Sequence, residues 1–464
     1  IGAMTPAEEI SFYVSPSGND SWSGRFSEPR ETDGPFATFY RAQQAVHEAK
    51  SDSLPRPIVV YFRGGVYNLE KKIFFLPEDS GSKEAPVTYR AYQDEAVLFS
   101  GGQRLTGWRQ VRDNKWICDV PAARESGRTF QALFVNGERR YRASTPNEGF
   151  YRVKDPMEGK GWPFHHYRYQ FGFYPGDILS NWTNLNDVQI VVLHFWSDAR
   201  SPIESVDTKT LTVNLATPIW RRFTDDNTTV GARYFIDNLY EGMDEPGEWY
   251  LDRPQGKLYY LAFADEDVAA AEIIAPFFDQ LLIFLGSPIK REYVEHIHLH
   301  GLNFAYTDWQ LPPGDSGDHF AADMVPAAVE ATAARHISIT DCSFQHIGSY
   351  GIGIYDGCRN VLISRNVIRD LAAGGIQISG GSASEDSLLK TSHITITDNV
   401  LFDLGRIYYS GIGILLMHAS ESVISQNHIR DLYYTGISVG KEWGYKPSAA
   451  YANRIEYNHV ENAG

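Results

Sequence analysis

The tetrad Gly351-Ile352-Gly353-Ile354 decides the fold of this chain, because three close copies follow it. The copies begin at Gly375, Gly411 and Gly436, which gives intervals of 24, 36 and 25 residues. A short strand with alternating isoleucines turns one apolar face inward, and only an equivalent strand stacked above it covers the next layer. Repeats of this length therefore predict a solenoid whose coils add strands to long parallel sheets.

A second repeat supports the same interpretation. An asparagine follows each Gly-Ile copy, before a further short apolar stretch, and these asparagines are Asn366, Asn399, Asn427 and Asn458. Asparagine tolerates left-handed backbone at a sharp bend, and its amide can bond to the equivalent amide one coil away. We therefore predict an internal asparagine ladder, with Cys342 in the same position one coil earlier.

The predicted fold class is all-β, a right-handed parallel β-helix with an inserted antiparallel β-sandwich or barrel module. We assign residues 1–104 to an N-terminal cap and the first coils, 105–290 to the inserted module and 291–464 to the later coils. Phe39, Ala42 and Val46 have the spacing of a capping helix, whereas closely spaced hairpin signals fill the middle segment. No polar cap follows the last coil at Gly464, so we expect the solenoid to continue beyond it.

Composition excludes several classes of protein. The net charge of -16 argues against a nucleic-acid partner, and no apolar run reaches the roughly eighteen residues of a membrane span. Three cysteines without a short-spaced pair do not predict a disulfide framework or a zinc knot. His296, His298 and His300 alternate along one strand, but same-face neighbours lie roughly 7 Å apart. We therefore predict no metal and no cofactor.

Four segments carry a family resemblance: 13–20 (YVSPSGND), 62–67 (FRGGVY), 244–252 (DEPGEWYLD) and 433–445 (YYTGISVGKEWGY). Together they resemble the right-handed parallel β-helix enzymes of glycoside hydrolase family 141, over nearly the whole chain. The resemblance implies an O-glycoside hydrolase of α-L-fucosidase or xylanase type, acting on a plant-type or other complex polysaccharide or its oligosaccharides. It also implies a secreted or periplasmic protein, with a cytoplasmic one as the alternative, and places the family's acidic catalytic pair beyond Gly464.

Candidate catalytic residues within the chain follow from the chemistry of glycoside hydrolysis. Two carboxyl groups must flank the bond, and one must hold its proton near neutrality through burial or a like-charged neighbour. Glu330 lies between the inward-facing Val329 and Ala331, Asp308 precedes Trp309 in a loop, and Asp431 precedes a tyrosine pair. These three carboxyl groups are the predicted candidates.

Candidate sugar contacts combine aromatic rings, which stack on pyranose C–H faces, with fixed polar groups for the hydroxyls. They are Trp443, Tyr434, Tyr445, His418, Tyr409, Trp196, Arg200 and His346, and the aromatic segment 162–169 is a further candidate.

Two other functions remain open at this point. A polysaccharide lyase on the same scaffold would need a base and a group that neutralises a uronate, for which Lys441, Lys446, Arg406 and Tyr409 are available. A non-catalytic carbohydrate-binding solenoid is the second alternative. The oligomeric state is also left open by the sequence.

Overall fold

The computed structural model describes residues 9–51, 55–157, 167–225 and 229–464. Three long parallel sheets run through the first and last parts of the chain, and two mainly antiparallel sheets lie between them. Each coil visits the three parallel sheets in turn, so the predicted parallel β-helix is confirmed.

We number the three parallel sheets by their strands. Sheet I contains Ile10–Val14, Ile58–Phe62, Val87–Ala91, Val294–Glu295, Ile297–His300, Ala334–Arg335, Ser338–Thr340, Arg359–Ser364, Thr391–Thr397, Ala419–Ser420, Val423–Ser425 and Arg454–Glu456. Sheet II contains Gly65–Asn68, Val97–Ser100, Asn303–Ala305, Ser343–Ile347, Val367–Leu371, Val400–Leu404, His428–Leu432 and His459–Ala463. Sheet III contains Ile73–Phe75, Leu282–Leu285, Ala327–Thr332, Tyr350–Ile354, Ile376–Ser379, Ile414–Met417 and Ile437–Val439.

The Gly-Ile copies form the last four strands of sheet III. Ile352, Ile376, Ile414 and Ile437 are partners in register on successive coils, and the first three are fully buried. Burying one such side chain contributes about 1.5–3 kcal/mol. The repeat in the sequence is therefore a column of isoleucines that holds the coils together.

The asparagine ladder is also confirmed. The Nδ2 group of Asn366 donates to Asn399 Oδ1 at 2.9 Å, Asn399 donates in the same way to Asn427, and Asn427 to Asn458. The backbone N–H of Cys342 donates to Asn366 Oδ1 at 2.9 Å, which extends the column by one coil.

The backbone of the ladder differs from the expectation in one respect. The left-handed residue is the one that precedes each asparagine, and the asparagine itself turns its amide into the column. The residues with positive φ are Arg365, Asp398, Gln426 and Tyr457, at 54°, 60°, 57° and 58°.

A helix caps the first coils, as predicted. It spans Phe39–Ser51 and buries Phe39, Ala42 and Val46 against the solenoid interior. A second helix spans Pro121–Glu125, and 3-10 helices span Pro77–Asp79, Leu185–Asp187, Tyr240–Gly242, Phe320–Ala322 and Ser387–Leu389. None of the helices among the described residues has the length and apolar character needed to cross a bilayer.

The inserted module consists of two mainly antiparallel sheets, each over its own hydrophobic core. The first contains Gly102–Arg104, Arg109–Arg112, Lys115–Asp119, Leu133–Val135, Glu138–Arg142, Glu248–Asp252, Lys257–Leu261 and Ile273–Pro276. The second contains Ser144–Thr145, Tyr151–Arg152, Arg168–Gly172, Gln189–Leu193, Asp198–Asp207, Thr212–Ile219 and Arg233–Asp237. Leu282–Leu285 already pairs with Ile73–Phe75 in sheet III, so residues 282–285 belong to the solenoid and not to the module.

Candidate active site

The inserted module docks against the solenoid along a polar seam. The carboxylate of Asp198 accepts hydrogen bonds from the backbone N–H and the hydroxyl of Ser410, both at 3.0 Å. Arg200 donates to the backbone carbonyl of Ile407. Asp198 and Arg200 are both buried, and the seam is therefore built from desolvated charged groups.

Three adjoining cavities follow this seam. The largest, of about 510 Å³, lies between the module and the loop formed by residues 306–326, which we call the covering loop. A cavity of about 110 Å³ shares Gln131, Arg142 and Arg200 with it. A cleft of about 290 Å³ shares Thr129 and Gln310 with the largest cavity, and both Asp279 and Asp308 line that cleft.

Two buried polar atoms beside these cavities have no hydrogen-bond partner among the described residues: Gln131 Oε1 and Arg200 Nε. The other groups of Gln131 are engaged, since its backbone N–H donates to Asp308 and its Nε2 donates to the carbonyl of Trp309 at 2.8 Å. An unsatisfied buried polar atom costs about 1–3 kcal/mol. A ligand rich in hydroxyl groups offers both the donor and the acceptor that these atoms lack.

Asp308 is the carboxyl group with the most useful environment. Its side chain accepts from Gln131 N at 2.8 Å and from Gln310 Nε2 at 3.1 Å, and the residue is only 8% exposed. Burial raises the pKa of Asp308 to about 6, and the two hydrogen bonds together with Arg142 and Arg139 offset only part of this effect. Asp308 therefore carries a proton at mildly acidic pH, as a general acid must.

The fold places a second carboxyl group beside Asp308. Phe278 and Thr307 form a parallel β-bridge, and the backbone N–H of Asp308 donates a hydrogen bond to the Phe278 carbonyl at 2.8 Å. Asp279 and Asp308 therefore occupy matching positions on neighbouring coils, whose backbones lie about 4.8 Å apart. On the following coil, a Cβ at Gly348 would lie 2.5 Å from Asp308 Cα, so this position requires glycine.

Asp279 differs from Asp308 in its surroundings. Its side chain is 48% exposed and forms an ion pair with Lys72 Nζ at 2.9 Å. Lys72 also donates to Gln280 Oε1 at 3.1 Å. The seam therefore holds one buried and one solvated carboxyl group side by side.

Glu330 lies on the same flank of the solenoid. It faces outward between the buried Val329 and Ala331, as predicted. Burial raises the pKa of Glu330. Part of this rise is offset by the nearby charge of Lys72 and by hydrogen bonds from Ala327 N, Gln280 and Tyr355. Gln280 thus links Glu330 to the segment that carries Asp279.

Asp431 lies elsewhere, on sheet II and outside the three cavities. Hydrogen bonds from Asn462 and Arg430 lower its pKa, so it stays ionised at the pH at which a proton donor is needed. This environment does not suit the role of a general acid.

The structure brings some predicted sugar contacts to the seam. Arg200 and Tyr409 line the 110 Å³ cavity, and Trp196 lies under the guanidinium of Arg221 at 5.0 Å. His346 is 4% exposed and is enclosed between Phe134 and Tyr306, with ring centroids at 4.6 and 5.2 Å. It therefore stabilises the seam and has no surface for a sugar, contrary to expectation.

Four other predicted contacts lie by the last coils, on the far side of the covering loop. Trp443 is 73% exposed and meets Phe320 edge-on at 5.8 Å, and Tyr445 is wholly exposed. Tyr434 packs against the apolar group around Leu415, and His418 follows the strand Ile414–Met417 with a left-handed φ of 46°. They form a second aromatic surface, separate from Asp308. Residues 162–166 of the predicted aromatic segment lie outside the described residues.

Sequence reasoning missed Gln131, Arg142 and Asp279. Gln131 and Asp279 lie beside strands and Arg142 is the last residue of the strand Glu138–Arg142, and none of the three belongs to a recognisable motif. The only signal for Asp279 is its register with Asp308, which requires the pairing of Phe278 with Thr307.

One group among the described residues has the composition of a metal site. His428, His459 and Glu461 bring their ligand atoms within 4.8 Å of one another on the exposed face of sheet II. His428 Nε2 already forms a hydrogen bond with Glu461 at 2.8 Å, so an ordinary side-chain contact accounts for the arrangement.

Comparisons with known proteins agree with this architecture. A family model described as "Right handed beta helix region" matches residues 327–464, and no curated protein matches the chain. A solved glycoside hydrolase superposes with a TM-score of 0.82 at 23% identity, covering 98% of this chain and 86% of that one. The complex of XylC with xylose gives a TM-score of 0.53 at 15% identity, over 97% of this chain and 64% of that one. These likenesses establish a right-handed β-helix fold.

Proposed function

We propose that this chain is a glycoside hydrolase that cleaves a complex polysaccharide or its oligosaccharides at the seam between the solenoid and the inserted module. The observation that carries the proposal is the buried carboxyl group of Asp308, which holds a proton up to about pH 6 beside a second carboxyl group. Polar cavities with unpartnered hydrogen-bonding atoms adjoin it.

The proposed mechanism assigns one role to each carboxyl group. Asp308 donates its proton to the glycosidic oxygen as the bond breaks, which neutralises the leaving group. Asp279, solvated and next to Lys72, is the carboxylate that either attacks the anomeric carbon or deprotonates the attacking water. Gln131 and Arg200 orient hydroxyl groups in the adjoining cavity.

The finer assignment rests on the sequence resemblance. The segments similar to glycoside hydrolase family 141 favour an α-L-fucosidase-like or xylanase-like activity on plant-type glycans. The resemblance places the family's acidic pair beyond Gly464, whereas the pair proposed here lies within the chain. Substitution of Asp308 and Asp279 distinguishes the two assignments.

A lyase is less well supported than a hydrolase. Burial raises the pKa of Tyr409 well above its ordinary value, opposed in part by Arg200, so the phenol keeps its proton at neutral pH. Lys441 is engaged by Asp323. Of the predicted lyase bases, these two are therefore not free to abstract a proton.

The test is a screen of fucosylated pectin fragments, xylans and aryl glycosides with the full chain, with reducing ends and unsaturated products measured together. We expect new reducing ends without ultraviolet absorbance, and a loss of about 100-fold or more for Asp308→Asn and Asp279→Asn. Product absorbance from an unsaturated uronate would select the lyase. Full activity in both variants would place the acidic pair elsewhere.

A further inference from the structure

We propose that the 110 Å³ cavity at the seam is an anion subsite that binds the carboxylate of a uronic-acid residue in the substrate. This inference rests on the proposed function and names the class of sugar that the site accepts. The cavity is lined by five arginines and one acid, which are Arg139, Arg140, Arg142, Arg200, Arg406 and Asp237. Guanidinium groups therefore dominate the polar lining of this small space.

Three of these arginines are neutralised inside the protein. Arg139 pairs with Asp370 at 2.7 Å, Arg140 with Glu266 at 2.7 Å, and Arg142 with Asp237. Their charges hold the seam together and leave little capacity for a ligand.

Among the described residues, the remaining two arginines make no hydrogen bond to a carboxylate. Arg200 is 5% exposed, its nearest carboxylate oxygens belong to Asp237 at 3.7 Å and Asp198 at 3.9 Å, and its Nε is unpartnered. Arg406 is half-buried and donates to the hydroxyl of Tyr141 at 2.8 Å; Asp370 and Asp403 act on it only through space, without a hydrogen bond in the described ranges. Within the part of the chain that the structure describes, Arg200 Nε is thus a buried donor without an acceptor, and Arg406 carries a charge without an ion-pair partner, so a bound anion can satisfy both groups.

The shape of the site favours a carboxylate that is attached to a sugar. A guanidinium fork matches the two oxygens of a carboxylate. The cavity also shares Gln131, Arg142 and Arg200 with the 510 Å³ cavity. A pyranose ring in the larger space can therefore extend its carboxylate into the smaller one, while Gln131 Oε1 accepts from a hydroxyl group of the same ring.

The experiment measures binding of the methyl glycosides of glucuronate and galacturonate, their methyl esters, and glucose 6-sulfate by calorimetry. We expect one of the acids to bind at least about tenfold more tightly than its ester, since a charged hydrogen bond is lost in the ester. Arg406→Gln is expected to weaken acid binding by roughly tenfold to 100-fold and to leave ester binding unchanged. Arg406→Lys is expected to fall between them, because lysine keeps the charge but loses the fork. Arg369→Gln is the matched control, since this exposed arginine bonds to Gln345 on sheet II.

Each outcome decides the proposal. Equal affinity for acid and ester in the natural protein overturns it, even if Arg406→Gln does not fold. Tighter binding of the sulfate ester than of either uronate overturns the assignment to a carboxylate. Cleavage of neutral glycans without any preference for acids would overturn the anion subsite and support the proposed hydrolase activity. Preferential acid binding without cleavage of any glycan would support the anion subsite and overturn the proposed hydrolase activity.

Discussion

Replacement of Asp308 by asparagine is expected to stabilise the protein at pH 8 while it removes activity. The folded-state pKa of about 6 exceeds the ordinary value of 3.8, so the folded protein retains a proton where the unfolded chain has lost it. The stability that depends on this group is therefore greatest below about pH 4 and falls by about 3 kcal/mol as the pH rises through 6. Asparagine is neutral at every pH and does not carry this cost.

The expected gain is smaller than the full electrostatic cost. The amide of asparagine can accept from Gln131 N, but its NH₂ group faces the Gln310 Nε2 donor that now bonds to the carboxylate. Loss of one hydrogen bond costs about 1 kcal/mol. We therefore expect Asp308→Asn to be about 2 kcal/mol more stable than the natural protein at pH 8, and about 1 kcal/mol less stable at pH 4.

Urea unfolding at the two pH values, with hydrolysis rates measured in parallel, tests this prediction. Asp94→Asn is the control, because Asp94 is an exposed carboxylate on the solenoid. The rate is expected to fall about 100-fold or more in Asp308→Asn alone. A variant that is less stable than the natural protein at both pH values, or that keeps its activity, would refute the assignment of Asp308 as a destabilised general acid.

Three further predictions concern the rest of the molecule. Trp443→Ala is expected to weaken the use of polymeric substrate and to change the unfolding midpoint by little. Trp249→Ala is the control, because Trp249 is fully buried and its loss should cost about 3–5 kcal/mol of stability. Equal losses of stability in the two variants would place Trp443 in the core. Asn399→Ala removes the acceptor of the Asn366 backbone N–H and the donor to the Ile363 and Thr397 carbonyls, and it should cost about 3 kcal/mol or more. Asn462→Ala removes one exposed hydrogen bond to Asp431 and should cost about 1 kcal/mol, both variants being measured by urea unfolding. Burial opposes ionisation of Asp370, but Arg139 and His346 outweigh it and lower its pKa to about 2. The stabilisation by Asp370 is therefore present above about pH 4 and is lost as the pH falls through 2. Asp370→Asn should be destabilising at pH 7 but nearly neutral at pH 2, and an equal loss of stability at both pH values would contradict this.

The solenoid could be predicted from the sequence because its information is local and repeated. Each isoleucine of the Gly-Ile copies and each asparagine of the ladder makes the same contact on every coil, so the spacing alone identifies the structure. The orientation of Glu330 followed from the same period-two alternation. The exact position of the left-handed residue did not, because arginine, aspartate, glutamine and tyrosine all occupy it.

The candidate site could be predicted only in part, because its residues come from distant segments. The sequence indicates Asp308 as a carboxyl group beside a tryptophan in a loop, and Arg200 as a polar side chain for a sugar hydroxyl. Their contacts with Gln131 and Ile407 depend on how the module docks, and no periodicity encodes that docking. His346 and Asp431 share one column of the repeat, yet Phe134 of the module packs against His346, whereas the side chain of Asp431 is 34% exposed.

The ion pairs along the seam also determine how the protein responds to ionic strength. Exposed pairs such as Arg365 with Asp341 are weakened by added electrolyte, because mobile counter-ions screen charges that face water. Arg139 with Asp370 and Arg221 with Asp318 are shielded from those counter-ions by their burial. We therefore expect the contact between the module and the solenoid, and with it the geometry beside Asp308, to depend little on ionic strength.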